Sequence, residues 1–310
     1  FDGAYIAGEK RSLTDAIRAK INNKNAYAAM RCAQEMCRGE RYAVSESGTE
    51  ETVAAASPQS VFAAYNELFR SMPCEIYYVG RSPAEPIAEA LRRAFADVKR
   101  SAFVHTATDV VRRASSVREV TEEQPTAQAK LSLGFRMGAC EADGKLPQML
   151  LFNELFGASP TAKLFMNVRE KLSLCYYCSS RIENLKGTML VSCGIENEKK
   201  QAVQDEILAQ LADIREGRIT DAEMDAAKKS LRCAFMQLGD DPASMARWDF
   251  GRRLSGRTDA TPEDDLAAIE ALGRDDIAAL ARDITLDTVY FMRAAGDAAD
   301  TDEEDENEDE

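Results

Sequence analysis

Between Ala127 and Gly138 the chain alternates more regularly than anywhere else. Ala129, Leu131, Leu133, Phe135 and Met137 are interleaved with Gln128, Lys130, Ser132, Gly134 and Arg136, the period-two pattern of a strand with one buried face. Helical periods lie on either side of it. Leu13, Ile17 and Ile21 recur every four residues in the helix expected over Glu9–Asn22; a second helix is expected over Ala26–Met36 and a loop over Arg38–Gly48. Ser57-Pro58 reads as the start of a helix with Val61, Phe62, Tyr65, Leu68 and Phe69 on one face, since a hydroxyl cap followed by proline suits a first helical turn. Ile76–Gly80 (IYYVG) follows as a short buried strand, and Ser82-Pro83-Ala84-Glu85 opens a helix through Ile87, Leu91 and Phe95. From Lys99 to Thr126 no period is sustained, so that stretch reads as a connector.

Beyond the alternating strand, Leu146–Phe156 is helical. Ser159-Pro160 then predicts the start of a helix with Leu164, Phe165, Val168 and Leu172 on one stripe and Arg169 beside it. Tyr176 enters a strand, and Lys186-Gly187 turns the chain back into Met189, Val191, Cys193 and Ile195. Val203, Ile207, Leu208, Leu211 and Ile214 mark a long helix, Thr220-Asp221-Ala222-Glu223 caps the next, and Asp241-Pro242 and Thr261-Pro262 start two more. The last helix is Asp276–Ile284, the last strand Val289–Met292. Thr49–Gly80 and Thr261–Arg293 run through the same order of capped helix and strand. This echo points to an α+β chain of two homologous halves, each a mainly antiparallel sheet covered by helices. The expected boundaries are 1–98, a connector over 99–126, 127–296, and a tail over 297–310.

Charge changes this picture only at the end. The formal charge of −14 is concentrated in that tail, which holds ten acidic and no basic residues, and the body is near −4. The tail is expected to be solvated and disordered. With no basic stripe, nucleic acid is not an expected partner. No apolar run is long enough for a membrane span, and the first residues lack a signal-peptide core. Most of the eight cysteines sit in apolar patterns, as reduced cytoplasmic cysteines do. Cys175 and Cys178 fall three apart on an expected strand, hence on opposite faces, with no histidine nearby. The single histidine, His105, sits in the connector and reads as a surface residue. The chain starts at Phe1 within helical sequence, as a fragment lacking its N-terminal part would.

The stretch around Arg169 carries the chemistry. Leu164-Phe165, Val168-Arg169-Glu170-Lys171, Leu174 and Tyr176 resemble the arginine–tyrosine pair of the insulinase/pitrilysin family of metallopeptidases, which precedes the central hairpin of the second half. The resemblance implies an insulinase- and mitochondrial-processing-peptidase-like fold with Arg169 and Tyr176 facing a shared cavity, their polar ends close together. A guanidinium can hold a peptide carbonyl or carboxylate, and a phenol can donate to an oxyanion. Active members also carry H-x-x-E-H and a later glutamate as zinc ligands. With one histidine the motif is absent, and aligning Glu9-Lys10-Arg11 with the family pattern puts Ala16 at the glutamate position. The resemblance therefore implies the non-catalytic subunit of a bacterial two-subunit pair, with no metal or cofactor in this chain. Zinc would reside in a partner subunit, forming a heterodimer that acts on a peptide. The rival expectation is a purely structural or binding protein of the same fold.

Overall fold

The computed structural model describes residues 1–102 and 108–295; His105 and the acidic run over 297–310 lie outside them. Its helices are α1 Gly3–Ala19, α2 Lys24–Met36, α3 Glu50–Ala55, α4 Pro58–Ser71, α5 Ala84–Ala94, α6 Leu146–Asn153, α7 Lys200–Arg215, α8 Asp221–Gln237, α9 Pro242–Leu254, α10 Pro262–Ala271 and α11 Arg274–Asp283. The strands are β1 Arg118–Gln124, β2 Ala129–Arg136, β3 Tyr177–Glu183, β4 Thr188–Ile195 and β5 Thr285–Ala294. The chain divides into two units, one of Phe1–Ala19, Ser45–Ala107 and Asp241–Arg247, the other of the remainder.

The larger unit is built on one sheet of order β1-β5-β2-β4-β3, with β1 parallel to β5 and the other neighbours antiparallel. The alternating strand forms its centre as β2. Leu131, Leu133 and Phe135, joined by Met189, Val191, Ile195 and Val289, pack with no exposed surface against a layer that includes α6, α7 and α11. Burial of each such side chain contributes about 1.5–3 kcal/mol. The β3–β4 hairpin turns at Gly187, whose φ of +67° suits glycine, and a Cβ there would overlap the Ala139 carbonyl.

The other face of β2 departs from expectation. Its polar residues were expected to face water, yet Lys130, Ser132 and Arg136 are all buried. The cause is α2, which lies across that face: Cys32 Sγ donates to Ser132 O at 3.5 Å, and a Cβ on Gly134 would come within 2.9 Å of Met36 Sδ. Arg136 donates to Met36 O at 2.6 Å, to Glu40 Oε1 at 2.6 Å and to Asp287 Oδ2 at 2.9 Å. Lys186 completes the cluster by bonding Glu40. Two carboxylates and two cations thus compensate one another beneath the helix, the condition under which buried charge is tolerated.

The stretch expected to be a plain connector contains β1. Period gives no sign of it because Glu122 and Val120 face inward, and the half-buried Glu122 is held by partners instead of by apolarity: Tyr290 Oη donates to it at 2.9 Å and Arg31 Nη2 at 2.7 Å.

The smaller unit is helical among its described residues. Its α3 and α4 carry the capping boxes of Thr49 and Ser57, but Val53 is its one described apolar residue counted as buried. The Phe62, Tyr65, Leu68 and Phe69 face of α4 is exposed, with Phe1 edge-on to Phe62 at 5.5 Å. Ile76–Gly80 is neither a strand nor buried, contrary to expectation. A strand needs a neighbour for its backbone groups, and this unit supplies none among its described residues. The fold is therefore α+β, with one sheet covered by helices, and the described residues of the first half do not form the sheet expected there.

Candidate functional site

Arg169 sits on a helix of unusual winding. Both Glu154–Ala158 and Leu164–Lys171 are π-helical, and Leu172 N donates to Asn167 O, five residues back, at 3.1 Å. The expected start at Ser159-Pro160 does not hold: Ser159 Oγ donates to Glu154 O, closing the preceding segment, and the next helix begins about four residues later. Leu164 and Val168 are buried as the apolar stripe predicted, but Leu172 is 44% exposed. Wider winding rotates a residue four positions on away from the stripe it would share in an α-helix.

The helix stops at Ser173, the one non-glycine residue of positive φ among the described residues, at 49°. Ser173 N donates to Arg169 O at 3.0 Å and Leu174 N to Val168 O at 3.0 Å, a nested pair that resembles the common left-handed helix cap. The chain then reverses, bends at Tyr176 and joins the sheet, with Tyr176 N donating to Gly194 O at 2.9 Å. Tyr177 points to the α2 side, its hydroxyl donating to Asn25 Oδ1 at 2.7 Å.

This turn places Arg169 and Tyr176 at one end of β3. Arg169 stacks over Phe165 at 4.7 Å and has Glu170 at 3.6 Å, with its side chain 42% exposed. Its charge also acts on the Cys175 thiol, next to Tyr176 in the chain. Tyr176 is 58% exposed, and its hydroxyl has no hydrogen-bond partner among the described residues. The two polar ends make no bond to each other among those residues; both are accessible to a ligand.

Cys175 and Cys178 were expected to point apart, yet each acts on the other's thiol, because Cys175 precedes the ladder and the chain bends between them. Cys193, opposite Cys178 in register, brings its sulfur to 3.1 Å from that of Cys178. The hydrogen bond to Cys178 and burial push the Cys175 thiol far above its ordinary range. At Cys178 the bond from Cys175 pulls the other way, but the contact with Cys193 and burial prevail, again raising it. Cys175 and Cys178 are therefore protonated at neutral pH.

The position aligned with the family's zinc glutamate gives no donor. Ala16 is exposed on α1, as is Asp15, and among the described residues no group of three or more His, Cys, Asp or Glu is arranged to hold a metal ion. The described residues therefore do not fit a zinc site. Nor is any described helix long and apolar enough to cross a membrane.

Residues 55–231, which include Arg169, Tyr176 and the hairpin start, match the family described as the peptidase M16 inactive domain. The chain belongs to the M16 peptidase family. It is 28% identical over 299 residues to the Bacillus subtilis protein named "Probable inactive metalloprotease YmfF", covering 96% of this chain and 70% of that protein. A conserved protein of Enterococcus faecalis superposes with a TM-score of 0.86 at 25% identity, over 96% of this chain and 70% of the other. A Pseudomonas fluorescens M16 inactive domain gives 0.75 at 15% identity, over 96% and 72%, and shares the fold. The chain is thus an inactive M16-family homologue of the insulinase/pitrilysin type.

Sequence reasoning missed three features of this M16 site. Ser173 gives no signal for a left-handed turn, since glycine or asparagine is the usual occupant. The π winding is not announced by the apolar spacing, which fits an ordinary helix equally well. The thiol cluster was hidden by the assumption of a regular strand from Cys175 onward.

Proposed function

We propose that this chain is a non-catalytic M16 subunit that pairs with a zinc-bearing subunit of the same family and supplies Arg169 and Tyr176 to a peptide held between them. The observation that carries this is the arginine–tyrosine pair itself. In a domain whose described residues offer no metal site, two side chains with matching chemistry stand accessible at one end of the hairpin. The guanidinium, stacked on Phe165, keeps a planar face of donors for a peptide carbonyl or carboxylate. The phenol has an unspent proton for the oxyanion that develops during peptide cleavage. A chain that served only as scaffold has no use for such a pair. In this reading the chain contributes substrate binding and charge stabilisation, and the partner contributes the metal. A cytoplasmic setting fits its cysteine usage.

The test requires the purified pair and a peptide substrate. Tyr176→Phe is expected to leave pairing intact and lower turnover by about 10²–10³, the usual cost of one oxyanion donor. Arg169→Ala is expected to raise KM as well, because the guanidinium also holds the peptide before reaction. If both variants pair normally and the complexes cleave at the parental rate, the supporting role is lost and the scaffold reading replaces it.

A further inference from the structure

Three thiols meet where β3 joins β4, and nothing in the proposed peptide chemistry uses them. We propose that Cys175, Cys178 and Cys193 form an oxidation site at which a hydroperoxide generates an intrachain disulfide, ending between Cys178 and Cys193. The geometry favours that pair. Cys178 and Cys193 are direct cross-strand partners, and such partners have Cα atoms about 4.5–5.5 Å apart, inside the range of about 4.4–6.8 Å that a disulfide spans. Their sulfurs, at 3.1 Å, need to close by about 1 Å to bond. Both are buried, whereas Cys175 is half-buried, and its thiol and that of Cys178 act on one another. Cys175 is therefore where oxidant enters.

The steps balance. The Cys175 thiolate attacks one peroxide oxygen, giving a sulfenic acid and releasing water from hydrogen peroxide. The Cys178 sulfur then displaces the sulfenic oxygen as a second water, forming a Cys175–Cys178 disulfide. Attack by Cys193 on the Cys178 sulfur moves the bond to Cys178–Cys193 and returns Cys175 as a thiol. Overall two thiols lose two hydrogens and one peroxide becomes two waters. Because the interaction with Cys178 and burial hold the Cys175 thiol protonated, the entry step is slow at neutral pH and accelerates about tenfold per pH unit. The product ties β3 to β4 two residues from Tyr176, so it is a slow lock on the hairpin and not a fast sensor.

The full chain, treated with hydrogen peroxide at pH 7 and pH 9, alkylated and mapped by mass spectrometry, tests this. The expected product is the intrachain Cys178–Cys193 disulfide, two hydrogens lighter than the reduced chain, formed about a hundredfold faster at the higher pH. Cys175→Ala is expected to slow formation at least about tenfold while leaving Cys178–Cys193 as the product. Cys74→Ser and Cys233→Ser, at exposed cysteines, are expected to change nothing. A disulfide joining Cys74 to Cys233, oxidation that stops at a sulfinic acid on Cys175, or a rate indifferent to Cys175→Ala would each overturn the proposal. Mapping is done on the unsubstituted chain, so the result does not depend on any variant folding.

Discussion

On one face of β2, Leu131, Leu133 and Phe135 are surrounded by hydrocarbon; on the other, Lys130, Ser132 and Arg136 are buried under α2. The first face is held by a force proportional to area and indifferent to direction. Its losses are graded, set by the volume removed. The second is held by a closed set of charges, Arg136 and Lys186 against Glu40 and Asp287. Here removing one member leaves the others uncompensated in a low-dielectric site. Equal burial therefore conceals unequal tolerance, and α2 is fixed in register by groups that work only together.

The largest expected effect follows from that inequality. Arg136→Met keeps the volume and apolar stem but strands Glu40, Asp287 and the Met36 carbonyl, and is expected to cost about 3–5 kcal/mol. On the apolar face, Leu133→Ala is expected to cost about 2–5 kcal/mol through its cavity. Urea unfolding at pH 7 measures both. The comparison separates them in a second way: restoring size at position 133 with Met should recover most of the loss, whereas Arg136→Lys should not, since Lys cannot make the bidentate fork to two acids. Equal rescue at both positions would erase the distinction between the faces.

The same contrast explains what could be read in advance. The apolar face was legible, because Leu131, Leu133 and Phe135 announce it by period alone, and the hairpin was legible from Lys186-Gly187. The polar face was not. Arg136 in a one-sided strand looks solvated until α2 is known to lie over it, and the partners that bury it come from positions 40, 186 and 287. β1 failed for the same reason, its inward Glu122 being satisfied by Arg31 and Tyr290. Of the candidate site, Arg169 and Tyr176 were legible as spacing and their accessibility was not. Spacing is local, but exposure depends on π winding that rotates the helix and on the Ser173 turn that aims the strand.

Acid should weaken the two faces differently. Burial pushes the Glu40 carboxyl up, but hydrogen bonds from Arg136 and Lys186 outweigh it and hold the carboxyl below its ordinary value of 4.5. A group depressed in the folded state contributes stability that is complete above its unfolded value and lost as pH falls through the folded one. Stability should therefore decline below about pH 4.5, with part of the slope arising from this cluster. Glu223, drawn down by Lys163 and the Thr220 backbone against the opposing effect of its burial, adds to the decline. In Glu40→Gln the slope below that pH should flatten, while in Leu133→Ala it should match the parent. Urea midpoints from pH 3 to pH 7 decide the matter, and an unchanged slope in Glu40→Gln would remove the cluster as its source.

The smallest effect concerns the apolar face, where backbone and not side chain sets the limit. Ser173 holds φ at 49° to end the helix that covers this face and to swing the chain into β3. A left-handed conformation costs a residue with a Cβ about 1–2 kcal/mol, and glycine escapes that cost while losing some entropy on folding. The Ser173 hydroxyl makes no hydrogen bond among the described residues, so nothing offsets the strain. Ser173→Gly is accordingly expected to stabilise the chain by about 1 kcal/mol, a rise in Tm of about 2–4 °C for a domain of this size. No charge is involved, so the gain should be the same at pH 4 and pH 7, unlike any change made beneath α2. Thermal melts at the two pH values measure it directly. A loss of stability would mean that Ser173 is anchored by something other than backbone geometry. A gain confined to pH 7 would tie this turn to the charged cluster across the sheet, and the two faces could no longer be treated as independent.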